Sequence, residues 1–416
     1  MTRGQTKAAP PSGCPIHFDP LAEDQLLDPY PLYDRMREEA PVFWSDPQQL
    51  FVVTRYDDVL AVLRDHRVFS SHNSVRSSLA PPAPEVAAVL ATGHSLSPTL
   101  TDSDEPVHGR LRGLVNRAFT HQRVAEMEEP VRAAANGLID AFYADAEADV
   151  IDQFGWSLPI TAISLILGLE GAEAERLHTW SYHWLKLLQA TDSVEEQVGY
   201  AGSVVEMQRF FIDQLEQRER EPRDDLMTVL LQSGRQLDPP VEIVEAMRIP
   251  MNLIIAGHVT VTRAIGNSVA LLIDRPEEQA RLRDELEGTI EELLRLESPA
   301  QGLFRTALED AVVGGVEIPA GSRLMVHFAA ANRDPEQFEC PAEIRPEREG
   351  LMRHLAFGKG IHVCVGAPLA RLELRIALPL LFQRLPSLRY AEPRVAVRDD
   401  VFFARGYRHL RVAWDR

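Results

Sequence analysis

The sequence predicts a mainly α fold with small β-sheets (α+β), and three observations carry that expectation. Apolar residues recur at helical spacing at Leu111, Leu114, Val115 and Ala118, and again at Ala246, Ile249, Leu253 and Ala256. Short β-branched and aromatic runs occur only at intervals, at Phe43-Trp44, Leu50 to Val53 and Val312 to Ile318. Hydrophobic residues make up 45% and charged residues 25% of the chain, enough apolar material for a large core.

Taken in order, residues 1–17 read as a flexible lead-in. Leu32 to Glu39 reads as a short helix entered through Pro29 and Pro31. The runs at 43–44 and 50–53, separated by Asp46-Pro47, form a hairpin that feeds a helix around Asp57 to Leu63. Residues 71–100 are Ser- and Pro-rich without a sustained period, and are expected to be a long mobile loop that carries binding residues. Val241 to Ile273 is long and apolar enough for a central buried helix, bent at Pro250. Gly314-Gly315 is a hairpin-turn dipeptide between two further short strands. Ala256-Gly257 interrupts the packed side chains of the central helix and lets something bulky approach its backbone.

The charge balance, 43 Lys and Arg against 62 Asp and Glu, gives −19. Such a chain is repelled by nucleic acid and by anionic membrane surfaces. No apolar run of 18 residues occurs, and the N-terminus has no apolar stretch of signal-peptide length, so neither a membrane anchor nor a leader is expected. Cys14, Cys340 and Cys364 are too widely spaced for a metal clip or a disulfide framework, which points to a reducing cytoplasm.

The strongest feature is Phe357-Gly358-Lys359-Gly360-Ile361-His362-Val363-Cys364-Val365-Gly366, followed by Ala367-Pro368 and a helical run from Leu369. Gly358 and Gly360 allow a bulged loop that aims amide N–H groups at one sulfur. Pro368 suits a first helical turn, whose positive end favours a thiolate, the form that ligates metals. On these residues alone Cys364 is also readable as a buried structural cysteine, or as a nucleophile with His362 as its base, although no orienting third group accompanies that pair.

The loop resembles the cysteine signature of the cytochromes P450, Phe-Gly-x-Gly-x-His-x-Cys-x-Gly, at every fixed position. Three further stretches resemble the same family. Glu292-Leu293-Leu294-Arg295 puts a carboxylate and a guanidinium on one helix face. In the family this pair is buried and completed by a downstream Arg or His; Glu343 stands where an Arg is common, leaving Arg345 or Arg348 as the replacement. Asp104 to Arg112 matches the family's Asp-x-Pro-x-His-x-x-x-Arg, with His108 and Arg112 four apart, and Arg305 and His354 match two more positions. The matches run from Asp28-Pro29-Tyr30 to Arg405-Gly406, which implies one domain over 18–416.

The resemblance implies a cytochrome P450 fold, with a triangular helical haem domain and a long central helix. It implies haem b, with Cys364 as the axial iron ligand, Phe357 beside the haem, and His108, Arg112, Arg305 and His354 on its propionates. It also implies that Ala256, Gly257 and Thr260 form the oxygen-binding part of the central helix. Here the sequence departs from the pattern: Val259 replaces the family's acid and carries no proton. His258 is the nearest substitute, but a helical neighbour points about 100° away. Water or substrate protons, peroxide as oxidant, or a reaction other than simple hydroxylation follow as options.

The resemblance places the substrate pocket among residues 71–100, Trp180 to Trp184, residues 299–304 and Val401 to Phe403, with Val259, Leu303, Phe304, Phe402 and Phe403 as candidate lining. A small apolar substrate, aromatic ones included, fits such side chains. No Gly-x-Gly-x-x-Gly fingerprint is present, so a separate ferredoxin and ferredoxin reductase are expected to supply electrons, steered by Lys359, Arg371 and Arg375 around the loop. The expected activity is a haem-thiolate monooxygenase. Oxidative coupling or peroxide-driven oxidation on the same scaffold, and a non-catalytic haem protein that binds a ligand, are the alternatives.

Overall fold

The computed structural model describes residues 16–117, 119–169 and 173–416. The expected lead-in at 1–15 and Ala118 of the periodic stretch lie outside them. Ile16, counted with the lead-in, is instead buried with Phe18 against the first β-hairpin.

The longest element is the central helix Ile243–Asp274, 32 residues, which continues through Pro250. At 1.5 Å per residue it is roughly 48 Å long. It packs against the helices Ser157–Leu167, Ala174–Gln189, Val194–Arg220, Leu286–Leu296 and Ala367–Arg384. Surrounded on so many sides, it is buried nearly all round, as its apolar composition requires. Its inner turns are less enclosed at Ala256, Gly257 and Thr260; Thr260 lies four residues past Ala256 and three past Gly257, so both neighbour it on that side of the helix.

The expected hairpin forms strands Val42–Ser45 and Leu50–Val53. The second of these pairs in parallel with the distant strand Arg323–Val326, which continues antiparallel to Leu303–Ala307 and then Phe69–Ser70. Gly314 and Gly315 turn the hairpin Ala311–Val313 and Val316–Ile318, both with positive φ. A further sheet joins Ala396–Arg398, Tyr407–Ala413 and Glu147–Asp149.

The stretch 71–100 departs from expectation, because it holds a helix, Pro84–Leu90. Pro84 starts it at a position where the missing N–H costs nothing, and the helix packs against Val194–Arg220 with Val86 fully buried. Seven residues are too few to show a period, which hides the helix from pattern reading.

The helix Ala367–Arg384 begins directly after the cysteine loop, with Pro368 in its first turn as expected. Gly358 and Gly360 both take positive φ, at 65° and 76°. A Cβ at Gly360 would collide with the carbonyl oxygen of Leu63. Gly360→Ala is therefore expected to lose about 1–3 kcal/mol in denaturant unfolding, from forced left-handed backbone plus the collision.

Candidate active site

A cavity of about 630 Å³ lies between the inner face of the central helix and the cysteine loop. Ala256, Gly257, Val259 and Thr260 line one part of it, and Phe357, His362 and Cys364 another. A Cβ at Gly257 would meet only Ile163, at 3.8 Å, so the protein's own packing leaves room there and the glycine keeps the cavity open. Cys364 sits deep in the protein yet its side chain opens onto the cavity. Its backbone N–H donates to the Phe357 carbonyl at 2.9 Å, closing the loop. Burial pushes its thiol up, while the N–H groups of Gly366 and Ala367 and the charge of Arg112 act the other way. The helix start thus favours the thiolate as expected, but burial outweighs it.

A basic cluster flanks the sulfur. His108 and Arg112 come from the helix Val107–Asn116, Arg305 from the strand Leu303–Ala307 and His362 from the turn before Cys364. The His108 and His362 rings stack with centroids 4.0 Å apart. Nε2 of His108 and Nε2 of His362 have no hydrogen-bond partner among the described residues although both are buried, and His108 Nδ1 has only Glu105 Oε1, at a long 3.5 Å. Burial pushes His362 down to about 3, with His108, Arg305 and Arg112 adding to the effect. Arg305 is pushed down to about 10 by burial. His362 belongs to this cluster although sequence reading considered it only as a base for Cys364; its fixed place in the motif was the available signal.

His354 is placed differently from expectation. Its Nε2 meets Glu291 Oε2 at 2.7 Å, its Nδ1 accepts from the Ala356 N–H at 3.2 Å, and it does not line the cavity. Both nitrogens are spent inside the protein, so it has no donor left for a bound carboxylate. Arg371 clamps the same Glu291 through Nε and Nη2, at 2.6 and 2.8 Å, and stacks its guanidinium over Phe357. It is therefore a paired internal charge and not a free member of a surface basic patch, which leaves Lys359 and Arg375 from the expected trio.

Glu292 and Arg295 do form a fully buried pair, at 2.8 Å. Arg348 supplies the third member, its Nε 3.0 Å from Glu292 Oε1, and the Arg345 backbone N–H adds 3.0 Å to Oε2. The Arg345 side chain turns to Glu343 instead. Burial works against the Glu292 carboxylate, but these donors hold it below its ordinary range.

Thr260 donates its hydroxyl to the Ala256 carbonyl at 2.7 Å. His258 faces away from the cavity: its Nδ1 lies 2.7 Å from Ser181 Oγ, and its ring packs between Trp156 and His178. It is no substitute for the missing acid. Leu303 and Phe403 line the cavity with Val259, whereas Phe304 and Phe402 do not. They pack on each other in the separate core beneath the N-terminal hairpin. Along Leu303–Ala307 successive side chains alternate faces, so Leu303 and Arg305 turn inward and Phe304 outward. Trp184 lines the cavity; Trp180 is capped by Arg176 elsewhere.

Burial opposes the Glu291 charge, but Arg371 and His354 hold its carboxyl at about 2, against an ordinary 4.5. Burial keeps His354 itself neutral at pH 7, so Arg371 is the charge partner. A depressed carboxyl adds stability that is present above about 4.5 and lost as pH falls through about 2. Urea midpoints of wild type and Glu291→Gln are expected to converge as pH drops from 6 towards 3, with the variant the flatter.

The comparisons with known proteins agree with this geometry. A family model described as Cytochrome P450 matches residues 179–388. Cytochrome P450 monooxygenase PikC of Streptomyces venezuelae is 34% identical over 430 residues, covering 100% of this chain and 97% of that protein. The 6-deoxyerythronolide B hydroxylase of Saccharopolyspora erythraea is 33% identical, over 94% of this chain and 96% of its own. The solved P450 heme domain of Tepidiphilus thermophilus superposes with a TM-score of 0.90 at 28% identity, covering 96% of each chain. The residues present suit an iron porphyrin: an open cysteine side chain faces the cavity, near the buried His108 Nε2 and His362 Nε2, which have no hydrogen-bond partner among the described residues, and the Arg112 and Arg305 guanidinium groups, which have no carboxylate of their own there. With the signature loop, the matching relatives and the fold in agreement, the chain belongs to the cytochrome P450 family of haem-dependent monooxygenases.

Proposed function

We propose that this monooxygenase inserts one oxygen atom of O2 into a small, largely apolar metabolite, with two electrons delivered by a separate ferredoxin and ferredoxin reductase in the cytoplasm. The balance is substrate C–H plus O2, two electrons and two protons to C–OH and water. The observation that carries this reading is that the Cys364 side chain and the Thr260 residue face one cavity whose remaining wall is mostly apolar. When bound, the haem supplies O2 activation and oxygen-atom transfer.

Each residue has a role in this reading. Cys364 would hold the haem iron through its sulfur, and the Gly366 and Ala367 N–H groups and Arg112 favour the charged form of that sulfur. His108, Arg112, Arg305 and His362 would hold the haem carboxylates, which would give a partner to the buried His108 Nε2 and His362 Nε2. Phe357 packs beside the loop under Arg371. Glu292, Arg295 and Arg348 hold the segment ahead of the loop. Thr260 moves a proton at Oγ1 by turning its hydroxyl from the Ala256 carbonyl into the cavity. Val259 and His258 supply none, so water in the cavity is the proton source. Val259, Leu303, Trp184 and Phe403 give the substrate an apolar wall.

Peroxide-driven oxidation is the second reading, favoured specifically by Val259, because peroxide brings both oxygen-bound protons and electrons with it. Titration of the holoprotein with aromatic, terpenoid and fatty ligands, followed by haem absorbance, tests the first reading: one class is expected to shift the spin state, and haem absorbance unmoved by every class contradicts it. Thr260→Ala is expected to lower product formed per electron consumed by roughly 10- to 100-fold. Val259→Glu is expected to raise that coupling; unchanged coupling alongside efficient peroxide turnover supports the second reading.

A further inference from the structure

The charged side chains lining the cavity are Arg76, Asp102, Arg112, Arg305, Lys359 and Glu373. Arg112, Arg305 and Lys359 belong to the surroundings of the cysteine loop, and Glu373 to the helix behind it. Asp102 is turned into its own loop, accepting from the Thr99 hydroxyl at 2.7 Å and the Ser97 hydroxyl at 3.2 Å. Arg76 is left. Its guanidinium has no carboxylate partner among the described residues, and its neighbours on the cavity wall are Asn73, Val75 and Ser78. A chain of net charge −19 disfavours anions in general, so a cavity-lining cation without a counter-charge is a local exception.

The backbone that carries Arg76 is pinned. Arg323 reaches behind it to donate to the carbonyls of Ser77, at 2.9 Å, Asn73 and Arg76 itself. It lies 3.9 Å over the Phe304 ring. Burial, with the Arg76 charge adding, pushes Arg323 down to about 10. Ser74 closes the other side, its carbonyl accepting from the Phe304 N–H at 2.9 Å and its hydroxyl donating to the Thr101 carbonyl at 2.7 Å. A desolvated guanidinium spent on three carbonyls fixes where the Arg76 side chain begins.

Resting on the proposed oxygen insertion, we propose that Arg76 is the anion subsite of the substrate cavity and that the substrate is a small apolar carboxylate. Its carboxylate pairs with Arg76 while its apolar body lies along Leu303 and Trp184 towards Thr260. A guanidinium takes a carboxylate in a two-pronged arrangement, and the apolar wall strengthens the pair by lowering the local dielectric. Arg323 is a positioning residue for this contact.

The test is calorimetric titration of the holoprotein with 4-butylbenzoate and with 4-butylbenzamide, which share a body and differ in charge. Wild type is expected to bind the carboxylate at least about tenfold more tightly than the amide. Arg76→Gln is expected to bring the two within about twofold at unchanged haem content, and Arg76→Lys to keep part of the preference. Equal binding of the pair by wild type overturns the proposal. So does a preference that survives Arg76→Gln, and in that case a fall in haem content would assign Arg76 to a haem carboxylate. Calorimetry reads binding and not turnover, so a carboxylate preference lost in Arg76→Gln, in holoprotein that forms no oxygenated product from O2 and supplied electrons, would sink the oxygen-insertion reading while sparing the subsite.

Discussion

Two adjacent carboxylates, Glu291 and Glu292, hold the site together. Consecutive positions on the helix Leu286–Leu296 point about 100° apart, so the two reach different partners. Glu291 takes His354, three residues ahead of the cysteine loop, and Arg371, seven residues past Cys364. Glu292 takes Arg295, Arg348 and the Arg345 N–H. Asn332 links the two arms: its side chain accepts the Leu355 N–H at 2.6 Å and donates to Ser298, and its carbonyl accepts from Arg295. Both sides of the loop are thereby tied to one helical turn. Buried ion pairs of this kind add little net stability over apolar packing, but removing one partner strands a charge at a cost of about 3–5 kcal/mol. Their value here is geometric, because they fix where the Cys364 side chain meets the cavity.

The second constraint is the central helix. A helix apolar on all sides must be covered on all sides, and between Ile249 and Ala270 its neighbours do so except at Ala256, Gly257 and Thr260. That gap is where a bound group fits. The same packing turns His258 to the opposite side, against Trp156 and Ser181, so neither residue that precedes Thr260 on the helix, Val259 or His258, can hand it a proton. Pocket shape and proton chemistry are therefore set by one helical register.

Features encoded by neighbours in the chain were legible in the sequence. The first hairpin, the Gly314-Gly315 turn, the loop glycines and the Glu292–Arg295 pair all depend on spacings of a few residues, and each lies where the pattern puts it. What depends on partners far along the chain was not. His354 stands close to the loop in sequence, yet its direction is set by Glu291, 63 residues away. Phe304 and Phe402 lie beside cavity residues in sequence, but strand alternation and the N-terminal core decide their side. The parallel pairing of Leu50–Val53 with Arg323–Val326 has no local signal, and the helix Pro84–Leu90 is too short for one.

Every role assigned around the cavity depends on the sulfur of Cys364 being the protein's donor to haem iron. Iron K-edge X-ray absorption of the purified holoprotein measures this directly. One sulfur scatterer in the first coordination shell is expected, and it should vanish in Cys364→Ser. A shell of nitrogen and oxygen alone in the wild-type protein would contradict the account.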